Sequence, residues 1–584
     1  RVLFRSNEAE VYGQDTWRLN SNLTMNFGLR WQYHAVPYEV NGFESVSTVD
    51  ETQLFSARVT NAFEGVNGNG AAPLVSYVLG GPKNHGPGYY NPDYRDFAPK
   101  LGLAYSPSFT EGILGRIFGD RKSSIRVGAG LNFDRVLSTL SFEIDQSNFI
   151  FSNQQNQPFG SNADPAGSLA ADPRFANINT PPPSPAAPTI TTPFTPNVDA
   201  SGNPIGLAVL GGFPNTFQLD TNLKTPYVIS LSLGWQRELP GGFLFEADYY
   251  GKLGRRLLAD GDAAQTLNFK DATSGQFLDA GFAALQQQLQ SGTSPAAVSS
   301  VPWFEGQVGQ AVAQNFGGTC VQVFNFSCTQ IAALVASPYI PVGDVSSTIL
   351  VLSEGFGQNQ GFLQPNTALL AQTGSAGYVG NYGSSNYNAL VLTLRKKLSN
   401  NLQFDFDYAY SHSIDNVSEI TNNANQYTGT GQFLVCDLTN LRTCRASSDF
   451  DARHTVSINY DYHLPVGTGQ RFLGSSSKLL NALVGGWGTS GIVSAHTGYP
   501  FNLHTGTFPI NFTQDAAPVF VGPASNIKQN IHVENGTVQF FSSQSNALNA
   551  FAFPFGGDTG NRNAVTGPGY WNVRSEERRV GKEC

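Results

Sequence analysis

The 584-residue chain sets 34 Lys and Arg against 43 Asp and Glu, a formal net charge of −9, and only 13% of its residues are charged. That balance argues against a nucleic-acid partner, whose phosphates call for a basic surface. The length exceeds one ordinary soluble domain, so several domains or one very large closed sheet is required; 62 Gly, 42 Phe and 22 Tyr beside a single Met favour strands and turns over helices.

No run of about eighteen apolar residues occurs, so no transmembrane helix is expected, and the N-terminus lacks the regions of a signal peptide. The first predicted hairpin joins AEVYGQDTWRL (9–19) to LTMNFGLRWQY (23–33). In its second arm Leu23, Met25, Phe27, Leu29, Trp31 and Tyr33 alternate with Thr24, Asn26, Gly28, Arg30 and Gln32. The first arm is less clean, since Asp15 shares a face with Val11 and Trp17. FAPKLGLAYSP (97–107) and SSIRVGAGLNFD (123–134) form the next pair. A long excursion follows, including the Pro-rich TPPPSPAAPTITTPFTP (180–196), which reads as polyproline, irregular loop or linker.

YVISLSLGWQREL (227–239) and GFLFEADYYGKLG (242–254) turn about Pro240 and Gly241. A long connection then contains one short predicted helix, GFAALQQQLQ (281–290). The clearest hairpin is NYNALVLTLRKKLSNNLQFDFDYAYSHSIDN (386–416): Leu402, Phe404, Phe406, Tyr408 and Tyr410 alternate with Gln403, Asp405, Asp407, Ala409 and Ser411. A period of two puts one set on each face of a strand. RHTVSINYDYHLP (453–465) and GGWGTSGIVSAHTG (485–498) make the last pair.

Alternation alone fits a soluble sandwich and an outer-membrane barrel equally. Arm length and loop spacing separate them. Arms of about ten residues suit a tilted bilayer crossing better than a globular strand. Short connections of about two to twenty residues alternate with long ones of about thirty to 130, as in barrels with short periplasmic turns and long extracellular loops. The expected fold is therefore all-β: an antiparallel transmembrane β-barrel of about a dozen strands, with long extracellular loops.

Four of the five cysteines form two close pairs, Cys320 with Cys328 and Cys436 with Cys444. Zinc sites use shorter spacings with further His or Cys nearby, so two small disulfide loops in an oxidising compartment are expected over free thiols. No catalytic, cofactor or metal residue is assigned, since no HExxH, CxxC, Walker, GxGxxG or GxSxG motif occurs. His454, beside Asp451 and Arg453, is read as a residue at the barrel rim rather than a ligand or base. Asp405 and Asp407 share a face and read as solvated or salt-bridged carboxylates, not paired catalytic acids. Arg395, Lys396 and Lys397 read as a membrane-boundary anchor rather than a phosphate site. Substrate contacts are expected in the long loops, rich in Asn, Gln, Phe and Tyr, without assignment to residues.

The phrases YGQDTWRLNSNLTMNFGLRW, FAPKLGLAYSP, ADYYGKLGRRLL, SNYNALVLTLRKKLSNNLQFDFDYAYSHSIDN, FDARHTVSINYDYHLPVG, GGWGTSGIVSAHTGYPF and GNRNAVTGPGYWNV occur in an order that resembles the Oar-like β-barrels of TonB-dependent outer-membrane receptors, abundant in soil bacteria such as acidobacteria. The resemblance covers residues 9 to 573, the long loops excepted. It implies an integral outer-membrane protein that transports a large or scarce solute, energised through TonB, and does no catalysis. The implied partners are the TonB complex, reached through segments upstream of this chain, outer-membrane lipid and lipopolysaccharide, and an unidentified solute. A non-energised outer-membrane adhesin or structural barrel is the alternative. A secreted multi-domain β protein is a third reading.

The family pattern continues to about 22 strands with a plug before the barrel. RVLFRS at the start and RSEERRVGKEC at the end resemble translated adapter sequence. Residues 1–6 and 574–584, including Cys584, are accordingly expected to be non-native, and 7–573 to be a partial receptor barrel.

Overall fold

The computed structural model describes residues 4–66, 74–136, 191–196, 198–202, 215–355, 375–399, 401–418, 436–510 and 515–579. Most of the Pro-rich segment 180–196 and residue Cys584 lie outside them. Eleven strands form one antiparallel path: β1 (Glu8–Asn20), β2 (Leu23–His34), β3 (Asp96–Tyr105), β4 (Ser123–Phe133), β5 (Tyr227–Leu239), β6 (Phe243–Asp262), β7 (Ser375–Ser399), β8 (Leu402–Asp415), β9 (His454–His463), β10 (Trp487–His496) and β11 (Tyr570–Arg579). Each pairs with its neighbour in sequence. Two short strands, Asn215–Leu219 beside β7 and Ala446–Ser447 beside β8, bring the sheet to thirteen. Among the described residues β1 and β11 end the order, each with one neighbour.

The register keeps the sequence alternation in phase across the whole path. One row of paired residues runs Leu23, Tyr105, Ile125, Trp235, Ala247, Leu392, Tyr408, Val456, Ala495, Trp571. One residue along, on the opposite face, the row runs Ser124, Gln236, Glu246, Thr393, Asp407, Ser457, Ser494, Asn572. A one-residue slip of any strand would exchange its faces, so the two-sided pattern fixes the register. Asp15 sits on the apolar side opposite Phe27, and its strand is an end of the sheet, where such a residue costs least.

The connections sort by end of the sheet. At one end Ser21 and Asn22 join β1 to β2, and Pro240, Gly241 and Gly242 join β5 to β6. Gly241 and Gly242 take φ of 84° and 78°, a conformation that a side chain disfavours. Residues 106–122 and 464–486 complete this end among the described connections. At the other end run 35–95, 134–226, 263–374, 416–453 and 497–569.

β6 and β7 outrun the arms read from the sequence, which stopped at Gly254 and began at Asn386. β7 has 25 residues, about 80 Å of extended chain against an apolar band of about 25 Å. Their outer parts, beyond a bulge at Gly254 and Leu257, carry a helical cap. Its helices are α1 (Glu51–Glu64), α2 (Leu278–Gln290), α3 (Pro302–Phe316), α4 (Cys320–Phe324), α5 (Cys328–Val335) and α6 (Val345–Gly355). One core unites Leu54, Phe269, Phe282, Leu285, Trp303, Phe304, Val308, Ile331, Ile349 and Leu352 with Tyr378 of β7. The helix expected over 281–290 is α2. The other five went unread because they lie in a region taken as irregular loop.

Candidate functional site

The polar face of the sheet forms a connected wall. Arg126 Nη2 donates to Gln236 Oε1 at 2.9 Å, and Gln236 Nε2 to Glu246 Oε1 at 2.7 Å. Arg395 lies 3.7 Å from both Glu246 and Asp405, and Thr393 Oγ1 donates to Asp407 at 2.6 Å. This ladder crosses five strands, β4 to β8, and pairs both signs of charge. Pairs this exposed contribute roughly 0–1 kcal/mol each, so the wall offers a water-wetted surface more than it adds stability.

Above the long-connection end, polar ties fix the loops to the strand ends. Arg562 Nη1 donates to Asp415 Oδ1 at 2.8 Å; its Nη2 donates to Asp449 Oδ1 at 2.8 Å and Ser418 Oγ at 2.6 Å. Asn563 adds bonds to Ser447 O and Asp449. One side chain thus joins connection 497–569 to connection 416–453. In α1, buried Arg58 donates to Gln265 O at 3.1 Å and to Ala263 O, holding the helix to the end of β6. Glu51, in the first turn of α1, is fully buried; desolvation, with Asp50 and Asp262 adding to it, raises its carboxyl to about 8. Burial likewise raises Asp279 to about 6, with the Asp437 charge assisting. For Glu305 burial opposes ionisation, but hydrogen bonds from Thr329 and Cys328 at the start of α5 outweigh it and hold the carboxyl below its usual range.

Cys320 and Cys328 lie at a Cα–Cα distance of 5.3 Å, and Cys436 and Cys444 at 5.7 Å, separations that suit a disulfide. The first pair links α4 to α5. The second lies beside the Arg562 tie, whose Nη1 also reaches Cys444 O. His454 Nδ1 and Tyr408 Oη are 2.8 Å apart, and its ring lies tilted, 5.2 Å from that of Tyr410. Asp451 and Arg453 do not join it: they pair with each other at 2.7 Å, and Asp451 accepts from Ser413 N. Asp405 and Asp407 engage Arg395 and Thr393, not one another. Arg395, Lys396 and Lys397 divide between faces: Lys396 Nζ donates to Gly241 O at 3.0 Å and sits 4.7 Å from the Phe243 ring, while Arg395 joins the polar wall. Among the described residues no group of three or more His, Cys, Asp or Glu is placed to hold a metal ion, and no helix is long and apolar enough to cross a membrane.

The loop ties were missed because their partners are far apart in sequence. The cap left a local signal: Thr319 with Gln322 and Ser327 with Gln330 are capping boxes, and Pro302 stands at the first position of α3, all marks of helix starts.

Residues 1–575 match the family described as outer membrane beta barrel domain. The chain belongs to that family. It is an integral outer-membrane protein, with its apolar rows toward lipid and its polar wall toward the lumen. No curated protein matches the chain. Similar solved structures include the outer membrane transporter YddB from Escherichia coli, at 8% identity and TM-score 0.33, with 98% of this chain and 48% of that one covered. The ferric enterobactin receptor PfeA from Pseudomonas aeruginosa gives 7%, 0.31, 98% and 45%. The ferric yersiniabactin uptake receptor FyuA from Yersinia pestis gives 7%, 0.29, 98% and 38%. The chain spans less than half the length of each.

Proposed function

We propose that this chain is the barrel portion of an Oar-like TonB-dependent receptor, of the type found in acidobacteria, that moves a large or scarce solute across the outer membrane and catalyses no reaction. The observation that carries the reading is the division of labour along the sheet. All long connections leave one end, and the described ones build a cap with its own buried core above a polar inner wall. A bare pore needs no such cap; a receptor does, because solute must be held before it passes. In this reading the cap is extracellular and the short turns periplasmic.

Energised passage uses the TonB complex, contacted by plug and TonB-box segments upstream. Two sheet ends with one neighbour each would leave rows of backbone groups unpaired in lipid, at several kcal/mol per group, so further strands of the parent protein close the barrel. Residues 1–6 and 574–584 are in this reading adapter-derived; Arg574–Arg579 pair with Trp487–Ile492 as a continuation of β11. The two cysteine pairs are proposed as native disulfides formed in the periplasm.

The test is the parent gene. A signal peptide, TonB box and plug before residue 7, and further strands with an aromatic C-terminus after residue 573, are expected. A signal peptide running straight into the barrel would replace this reading with the non-energised adhesin or structural barrel.

A further inference from the structure

Two short helices at the short-turn end have no role in the barrel wall or the cap. Gly112–Phe118 lies in connection 106–122 and Lys478–Val484 in connection 464–486. Each exposes an apolar triad at the same spacing: Ile113, Leu114 and Ile117 are 75%, 49% and 42% exposed, and Leu479, Leu480 and Leu483 are 79%, 39% and 66%. That spacing gathers three side chains on one helical face. Left in water, such a face forgoes the free energy that burying its apolar area would release.

Both helices are tied to the lipid-facing side of the sheet. Phe118 packs edge-on against Trp235, a member of the apolar row, with ring centroids 6.2 Å apart. Arg237, on the same face two residues on, donates to Ile117 O at the helix end. In the second helix Leu483 O accepts from Trp487 Nε1 at 2.9 Å, and Trp487 shares its face with Thr489, which pairs Tyr462 opposite Leu402. The charges within the two connections are mostly basic, Arg116, Arg121, Lys122, Arg471 and Lys478 against Glu111 and Asp120, in a chain of net charge −9; of the adjoining strand residues, Arg237 adds one positive charge and Glu238 one negative.

We propose that these two helices are interfacial anchors that lie in the phospholipid leaflet on the short-turn side, triads among the acyl chains and basic residues at anionic head groups. The triads continue the established lipid-facing surface past its rim, and the local charge complements the head groups. A soluble protein partner would not need the faces to adjoin that apolar belt. The inference rests on the lipid-facing assignment of the apolar rows, which a separate probe checks.

The parent protein, whose further strands close the barrel, receives one cysteine at Ile113, Leu479 or, as control, Leu233 on the apolar face, each labelled with an environment-sensitive fluorophore. It is folded into vesicles of phosphatidylethanolamine and phosphatidylglycerol containing doxyl-labelled lipid. Quenching at all three sites, with phosphatidylglycerol preferred at Leu479 and that preference reduced about ten-fold or more by Arg471→Gln with Lys478→Gln, is the expected result. Quenching at Leu233 alone would overturn the anchors and leave the barrel standing. Blue-shifted but unquenched emission at Ile113 and Leu479, growing with protein concentration, would assign the triads to a protein surface instead. Quenching nowhere would overturn the membrane reading and the anchors together.

Discussion

Replacing Arg562 by Ala should loosen the junction between connections 416–453 and 497–569 without disturbing the sheet. The guanidinium is only 11% exposed and Asp415 3%, so the substitution strands a buried carboxylate and removes its bonds to Asp449 and Ser418 as well. Leaving one partner of a buried ion pair uncompensated costs roughly 3–5 kcal/mol. Charge-assisted hydrogen bonds contribute roughly 1.5–3 kcal/mol each, and water entering the gap recovers part of that. A net loss of about 3 kcal/mol raises local opening by about two orders of magnitude, since each 1.4 kcal/mol is a factor of ten. Amide hydrogen exchange read by mass spectrometry should show that acceleration in peptides covering 413–418 and 444–451, with β5 and β6 unchanged. Arg562→Ala combined with Asp415→Asn should recover part of the protection, because the orphaned charge is gone. Unchanged exchange at 413–418 in the single variant would refute the tie.

The cap should weaken as pH rises. Glu51 ionises at about 8 when folded against about 4.5 when unfolded, so the folded state holds the extra proton between those values. Stability is fully present below about 4.5 and falls by up to about 1.4 kcal/mol per pH unit until the folded value is passed; in Glu51→Gln, cap unfolding followed by hydrogen exchange at pH 5, 6.5 and 8 should lose most of this slope. Trp303 is fully buried and donates from Nε1 to Phe269 O at 2.9 Å, so Trp303→Ala should cost the cap about 3–5 kcal/mol, read as protease cleavage within 263–355 while the β-sheet circular dichroism is kept. If both disulfides form, alkylation of the denatured, unreduced chain adds one adduct, at Cys584, and five after reduction; reduction should lower cap stability by roughly 2–3 kcal/mol for loops this short.

How much of this was legible in the sequence follows from what each element buries. A strand with lipid on one side and water on the other must alternate strictly, which is why Leu402 to Ser411 and Leu23 to Tyr33 could be read to within a residue or two. The outer reach of β6 and β7 faces neither lipid nor open lumen. Tyr378 packs into the cap core, while Leu258 and Val379 pack against Val46, Tyr89 and Leu223, so these residues are buried without an alternating pattern. The helices α3 and α5 bury Trp303, Phe304, Val308, Ile331 and Ala332 among Gly, Ala and Gln, a mixture that resembles loop by composition. Pro302 at the start of α3 and the capping box of α5 were the readable trace. Arg562 and Asp415 both lay in phrases that carried the family resemblance, yet nothing local announced that they meet across 147 positions.

The most direct test of the account is the water and lipid exposure of β8, residue by residue. Single cysteines from Leu402 to Tyr410 in the parent protein, whose further strands close the barrel, are scored after folding into vesicles for quenching by acyl-chain doxyl lipid and by a water-soluble quencher. Phe404, Phe406 and Tyr408 should respond to lipid, and Gln403, Asp405, Asp407 and Ala409 to the aqueous quencher, in strict alternation. A uniform aqueous response along the strand would contradict a membrane-spanning barrel and return the chain to the soluble β-sheet proteins.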